Sequence, residues 1–304
     1  MYVVALLIVP LTAVGMFSVN EVSRNNDAAG NALDLAAVLD VDVATSAIYP
    51  RLEAERIASL GQVASDAGAL RSSTIDFAAL RIDAIRGVDT AVEALFEALG
   101  DDSATIARFD ATRQMLLLER ERVAVGMSDV VSVDAAFDQV LFQLDTIVAS
   151  TERLVDEMRV RASDAASSAS DVTLLTAVSR SAQSSVHEVT SLVFGVAPQT
   201  PSALADSALR HRDALDAAMP VAPRTIEALH TQREALAWSN AEPDASMQGQ
   251  LDYLRSVDGA IEAQVVPIQT DITAWADAAQ QEDRDTLVVI VRVALASQLV
   301  GAVV

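Results

Sequence analysis

The chain has no cysteine and no lysine, and it is poor in glycine, proline and aromatic residues. Its 304 residues include 11 Gly and 8 Pro, and aromatics make up 4%. The absence of cysteine excludes a disulfide framework, thiol catalysis and cysteine-ligated metal. Few helix breakers, together with abundant Ala, Leu, Asp, Glu and Arg, predict long helices rather than a β-rich fold.

Basic residues are also scarce, with 21 arginines against 43 acidic residues and a net charge of −22. Nucleic-acid binding needs a basic face that neutralises phosphates. The charge therefore excludes nucleic acid as a partner.

Apolar residues are concentrated at the two ends of the chain. Tyr2–Val19 is 18 residues long without a charge, and Thr286–Val304 contains only Arg292. A bilayer needs about 20 apolar residues, and the first run lacks the basic start and the cleavage site of a signal peptide. We therefore predict transmembrane helices at residues 1–19 and 286–304, in contact with membrane lipid. All 43 acids and 20 of the 21 arginines lie between them, which predicts a helical body on the extracytoplasmic side of a bacterial plasma membrane.

Between the apolar ends, helical periodicity begins near Asn31, and short breaks separate the successive segments. The predicted helices cover residues 31–67 with a kink at Pro50, then 74–99, 101–125, 201–219, 223–240 and 245–282. Residues 131–194 contain neither Gly nor Pro. Their polar patch RASDAASSASD, residues 161–171, fits either a loop between two helices or one continuous helix.

Two pairs of segments repeat at similar offsets. AIRGVDTAVEAL (residues 84–95) aligns without gaps to ALRHRDALDAAM (208–219), and TIARFDATRQML (105–116) aligns to TIEALHTQREAL (225–236). Chance similarity between Ala-rich helices is the alternative, but the concordant offsets favour a duplication. We predict an all-α fold of two consecutive four-helix up-and-down bundles, residues 20–165 and 166–285.

One arginine lies on a stripe that the periodicity predicts to be buried. Tyr49, Leu52, Leu60 and Val63 form this stripe, and the step between Leu52 and Leu60 falls on Arg56. A buried guanidinium is costly unless something pairs with it. Arg56 therefore either binds an anionic ligand or pairs with an acid on a neighbouring helix.

The sequence around this arginine resembles the nitrate- and nitrite-sensing (NIT) domain of bacterial transmembrane sensor histidine kinases. LEAERIASL (52–60) is similar to the first-helix pattern of that family, and IRGVDTAVEAL (85–95) to its second. RERVAVGMSDVVSVDAAFDQVL (120–141) resembles the passage from the third helix to the fourth. The resemblance extends thinly but in order over almost the whole chain, and it implies two four-helix bundles that sense a small anion.

The resemblance implies roles for two residues. Arg56 falls on the family's anion-binding arginine, and a planar guanidinium suits a flat oxyanion. Ile57 replaces the family's glycine. The second Glu-Arg pair of the family falls near His187 and Glu188, so the second arginine is missing. Either a carboxylate takes its place or His187 donates to the ligand instead.

No enzymatic motif accompanies these features. The chain has no phosphate-binding loop, no HExxH and no G-x-S-x-G. We therefore predict a non-enzymatic sensory module without a cofactor or metal. It would bind a small anion such as nitrate or nitrite, act as a homodimer and signal through its membrane helices to a transmitter outside this chain. The alternatives are a helical adaptor or structural ectodomain that binds another protein, and the ectodomain of a chemoreceptor or diguanylate cyclase.

Overall fold

The computed structural model describes the backbone of residues 2–70, 73–161, 166–196, 201–237 and 243–301. It describes the side chains of residues 30–70, 73–159, 167–196, 202–236, 244–278, 280 and 281. These parts of the chain contain eight helices: α1 (Tyr2–Asp66), α2 (Phe77–Leu99), α3 (Ser103–Ala124), α4 (Val130–Arg161), α5 (Ala166–Phe194), α6 (Pro201–Ala218), α7 (Pro223–Ala237) and α8 (Pro243–Gly301).

The all-α prediction is confirmed, since the described residues contain helices and no strand. Local chemistry explains two helix starts. Asp76 caps α2 by accepting a hydrogen bond from the backbone N–H of Ala79, and Asp102 caps α3 through Thr105. Gly100 ends α2 with a positive φ of 53°, a conformation that favours glycine.

The helix α1 lies at the centre of the molecule and contacts α2, α4, α5 and α8. Arg51 bonds Asp258, and Gln269 bonds Asp40. Residue numbers thus fall along α8 as they rise along α1, so the two helices are antiparallel. The chain therefore enters and leaves the body at the same end.

Two hydrophobic clusters form the core, and α1 contributes to both. One cluster joins Ile48, Leu52 and Leu60 of α1 to α2, α3 and α4. The other joins Leu35 and Leu39 to helices α5–α8. The boundary between the two predicted bundles, at residues 165 and 166, stays a prediction. The helix α1 packs against helices that precede this boundary and against helices that follow it. The repeated segments lie on α2 and α6, and on α3 and α7, so they occupy matching places in the helix order.

The helices α4 and α5 form a hairpin rather than one continuous helix. Arg159 of α4 bonds Thr173 of α5, and Glu152 pairs with Arg180. The chain direction therefore reverses between α4 and α5, which excludes one continuous helix. Residues 162–165 of the polar patch lie outside the described residues, and its last residues belong to α5.

Both terminal helices are longer than the periodicity predicts, since α1 begins at Tyr2 rather than near residue 31 and α8 ends at Gly301 rather than near residue 282. Both predicted ranges already ran through a proline. The helix α1 continues through Pro50 and α8 through Pro267. A proline removes one hydrogen bond of the helix, and at Pro50 the buried neighbours Ile48, Tyr49 and Leu52 hold the helix in place. The predicted spans, 1–19 and 286–304, lie outside the residues whose side chains are described. Over the part of the chain that was described, no helix is long and apolar enough to cross a membrane.

Candidate functional site

Six polar residues meet on one side of α1, and we name them the Arg56 cluster. Each of three helices supplies two of them, one turn apart, so that both point in the same direction. The two residues from α1 are three positions apart in the sequence. The two from α4 are four positions apart, and so are the two from α5. The members are Glu53, Arg56, Asp134, Asp138, Gln183 and His187.

Arg56 is completely buried and is surrounded by carboxylates. Its Nη1 donates to Oδ1 of Asp138 at 3.2 Å and lies 3.8 Å from Oε2 of Glu53. Its Nη2 is in direct contact with Oδ1 of Asp134. Two of these partners belong to α4, so Arg56 pairs with acids on a neighbouring helix, as one of the two explanations from the sequence predicted.

Glu53 connects Arg56 to α5. Its side chain is fully buried, and its Oε2 accepts a hydrogen bond from Nε2 of Gln183 at 2.9 Å. The same oxygen lies 3.9 Å from Nδ1 of His187, an ion-pair distance rather than a hydrogen bond. Arg56 and His187 thus lie on two sides of one buried carboxylate.

The cluster holds three carboxylates against a single guanidinium, and some of its polar atoms are unsatisfied. Within the described part of the chain, Oε1 of Glu53, Nε of Arg56 and Nδ1 of His187 have no hydrogen-bond partner. Unsatisfied buried polar groups each cost about 1–3 kcal/mol. They are uncommon in native proteins and call for an explanation such as a bound ion or water.

The structure therefore brings together the two residues that the sequence predicted as ligand-binding, Arg56 and His187. Their binding roles stay predictions. Sequence reasoning missed the carboxylates and Gln183 around them, and it expected no metal-ligand group. The sequence feature that could have pointed to these carboxylates was the pair Asp134 and Asp138, which are four residues apart and so lie on the same face of one helix.

A second buried ion network lies next to the first. The side chain of Glu55 is fully buried and receives two hydrogen bonds from Arg120, from Nε at 2.7 Å and from Nη2 at 2.6 Å. Arg120 also bonds Asp89 at 2.9 Å, and its carbonyl accepts from Arg81. Burial raises the pKa of Glu55, and the bonds from Arg120 oppose the shift. This bidentate geometry joins α1, α2 and α3.

The other half of the body contains a buried histidine, His211. Its Nδ1 lies 2.8 Å from Oγ of Ser181, and its Nε2 bonds the hydroxyl of Tyr253. Ser181 itself donates to the carbonyl of Val178. These contacts fit one neutral tautomer, in which Tyr253 donates to Nε2 and Nδ1–H donates to Ser181. Burial, reinforced by the charge of Arg233, lowers the pKa of His211 to about 3.

This depressed pKa predicts a loss of stability in acid. The ordinary pKa of 6.5 applies to the unfolded chain, which takes up a proton as the pH falls below that value while the folded chain does not. The free energy of unfolding should then fall by about 1.4 kcal/mol per pH unit, toward the folded-state pKa. Urea unfolding between pH 7.5 and 4.5 should show a shallower pH dependence in His211→Asn than in the wild type.

Tyr253→Phe is the matched control, because it removes the hydroxyl but leaves the imidazole buried and should keep most of the slope. Equal slopes in the wild type and His211→Asn would mean that His211 is not buried neutral.

Two clefts lie against Arg51, away from the Arg56 cluster. One of about 480 Å³ and one of about 280 Å³ share Arg51 and Asp258 in their walls. Arg51 is bound to Asp258 at 2.8 Å and lies 3.7 Å from Glu262. Carboxylates outnumber the guanidinium in the larger of these two clefts, and the smaller one is lined by two arginines and two aspartates. Neither cleft therefore has an excess of positive charge that would hold an anion.

Comparison of the chain with protein-family models, with curated proteins and with solved structures gives no match.

Proposed function

We propose that this chain is the sensory module of a bacterial membrane signal-transduction protein, with its helical body on the extracytoplasmic side and a transmembrane helix at each end. The observation that carries the proposal is the course of α1 and α8. Each is continuous, over 65 and 59 residues, and includes most of a terminal apolar run. Because they are antiparallel, both runs extend from the same end of the body, as two spans in one membrane require.

The position of the Arg56 cluster supports a route for the signal. Arg56 joins α1 to α4, and Glu53 joins α1 to α5. Arg51, between one and two turns away on the same helix, joins α1 to α8. A ligand that changes the pairing of Arg56 would alter the contacts of α1 with its neighbours. A small shift of α1 against α8 could then reach the membrane, provided that the ligand binds the two arrangements unequally.

The proposed ligand is a small anion such as nitrate or nitrite, held by Arg56 and His187. Three carboxylates surround Arg56, so an anion binds only if it replaces one of them. Asp138 is the partner most easily replaced, because its side chain is 54% exposed whereas those of Glu53 and Asp134 are 0% and 12% exposed.

This competition gives a test. Thermal melts with EDTA present should show that sodium nitrate or nitrite raises the melting temperature of the wild type relative to sodium chloride. Asp138→Asn removes a competing charge and frees a donor of Arg56, so it should bind the anion at least about tenfold more tightly, since about 1.4 kcal/mol corresponds to a factor of ten. Arg86→Gln is the control, because Arg86 is exposed and pairs only with Asp83 among the described residues. If nitrate and nitrite raise the melting temperature of neither the wild type nor Asp138→Asn, a small anion of this kind is not the ligand.

The signalling step has its own readout. The chain lacks cysteine, so Asp34→Cys on α1 and Asp277→Cys on α8 can be spin-labelled at two exposed positions without background. A saturating ligand should change the distance distribution between the labels. If the ligand binds but the distance distribution does not change, the chain only binds the ligand, and the proposal that it is a sensor is wrong.

An apolar surface favours a second candidate function, a helical adaptor that binds another protein. A surface cleft between α3 and α4 includes Met115, Leu118 and Val125, which are 49%, 62% and 68% exposed. Exposed apolar patches mark interaction sites. The proposal of a homodimer draws on α4, where Val131 and Phe142 are also exposed. A chemoreceptor or cyclase ectodomain would share this architecture and differ only in its transmitter.

A further inference from the structure

We propose that Asp134, Asp138 and His187 form a binding site for one divalent transition-metal ion. One ligand atom from each of the three residues lies within 4.8 Å of the other two. This inference does not rest on the proposed function, and it concerns a different ligand at the edge of the same cluster.

The helix geometry aims these three groups at one point. Asp134 and Asp138 are one turn apart on α4, and His187 approaches from α5. Metal–ligand distances of about 2.0–2.2 Å place the ligands of a tetrahedral ion about 3.5 Å apart. The ligand atoms lie no more than 4.8 Å apart, so they need to approach one another by at most about 1 Å, which side-chain rotation can provide.

Arg56 leaves room for an ion. Its two contacts with α4 are both made to Oδ1 atoms, of Asp134 and of Asp138. Each aspartate therefore retains Oδ2. Three carboxylates around one guanidinium also leave an excess of negative charge, which a divalent cation would balance.

A second observation points to a ligand at this place, namely the unsatisfied atoms on the buried side of the cluster. Glu53 is fully buried, and its Oε1 has no hydrogen-bond partner within the described chain. Its Oε2 lies 3.9 Å from Nδ1 of His187, which is also without a partner there. A metal-bound histidine commonly donates its second ring N–H to a carboxylate. An ion on Nε2 would make Nδ1 a donor and give Glu53 this role.

The donor set indicates the kind of ion. Imidazole suits Zn²⁺, Ni²⁺ and Fe²⁺, whereas sites with oxygen ligands alone suit Mg²⁺ and Ca²⁺. A site of one nitrogen and two carboxylates, with one coordination position left to solvent, fits Zn²⁺ better than Ca²⁺. The site is close to the surface on the side of Asp138, whose side chain is 54% exposed, so an ion can enter without unfolding.

The test is calorimetric titration of the whole chain, first treated with EDTA and then dialysed, with ZnCl₂ and CaCl₂. We expect one Zn²⁺ per chain and at least tenfold weaker binding of Ca²⁺. His187→Gln and Asp138→Asn should each weaken Zn²⁺ binding at least tenfold. Circular dichroism confirms that each variant folds, and the two variants lie on different helices, so a folding failure of one leaves the other to decide.

His230→Gln is the matched control. His230 is similarly exposed and lies 3.1 Å from Asp216, but it belongs to α7, outside the cluster. It should bind Zn²⁺ as the wild type does. If His187→Gln binds Zn²⁺ as tightly as His230→Gln, or if the wild type does not bind, the site does not exist. Because no nitrate is present, failure here is separate from failure of the anion test, which is done in EDTA.

Discussion

Arg56→Ala should lower the free energy of unfolding by about 3–5 kcal/mol, the usual cost of removing one partner from a buried ion pair. The substitution leaves Glu53 and Asp134 without their cation, and both residues are buried. In a chain of this size the melting temperature should fall on the order of 10 °C. The measurement is a thermal or urea melt followed by circular dichroism at 222 nm.

Arg51→Ala is the matched control on the same helix. Arg51 is partly exposed and pairs with the partly exposed Asp258, so its removal should cost only about 1 kcal/mol or less. Arg56→Lys should be intermediate, since an ammonium keeps the charge but cannot span two carboxylates. If Arg56→Ala melts like Arg51→Ala, the cluster does not stabilise the fold.

Arg120→Ala should cost a similar amount, about 3–5 kcal/mol, because it strands the fully buried Glu55. The effect should shrink when Glu55 is also changed to Gln, since the double variant no longer buries an unpaired charge. A double-mutant cycle from urea unfolding measures the coupling, and we expect at least about 1 kcal/mol for residues in direct contact.

Arg122→Ala controls for the loss of an arginine from the same helix. The side chain of Arg122 is 51% exposed and pairs with Glu119 three residues away, so its removal should cost less than about 1 kcal/mol. Additive effects of Arg120→Ala and Glu55→Gln would contradict the pairing that joins α1, α2 and α3.

Much of the helical architecture could be predicted because its signals are local. The helices predicted over residues 74–99, 101–125, 201–219 and 223–240 begin close to the observed starts of α2, α3, α6 and α7. The end of α1 was also predicted, at residue 67 against the observed Asp66. Its place in both hydrophobic clusters could not be predicted, because the contacts of a central helix depend on how distant helices pack against it. The reversal between α4 and α5 was also ambiguous, since the polar patch by itself fits either a loop or a helix.

At the Arg56 cluster, too, one part could be predicted from the sequence and another part required the structure. The sequence by itself determined that this arginine lies on the buried stripe of its helix, because the helical period fixes which residues share a face. It did not determine the partners, since 43 acids were available and sequence distance says little about contact. Only the tertiary structure placed Asp134, Asp138 and His187 beside Arg56, because the packing of α4 and α5 against α1 brings together residues 78 to 131 positions apart.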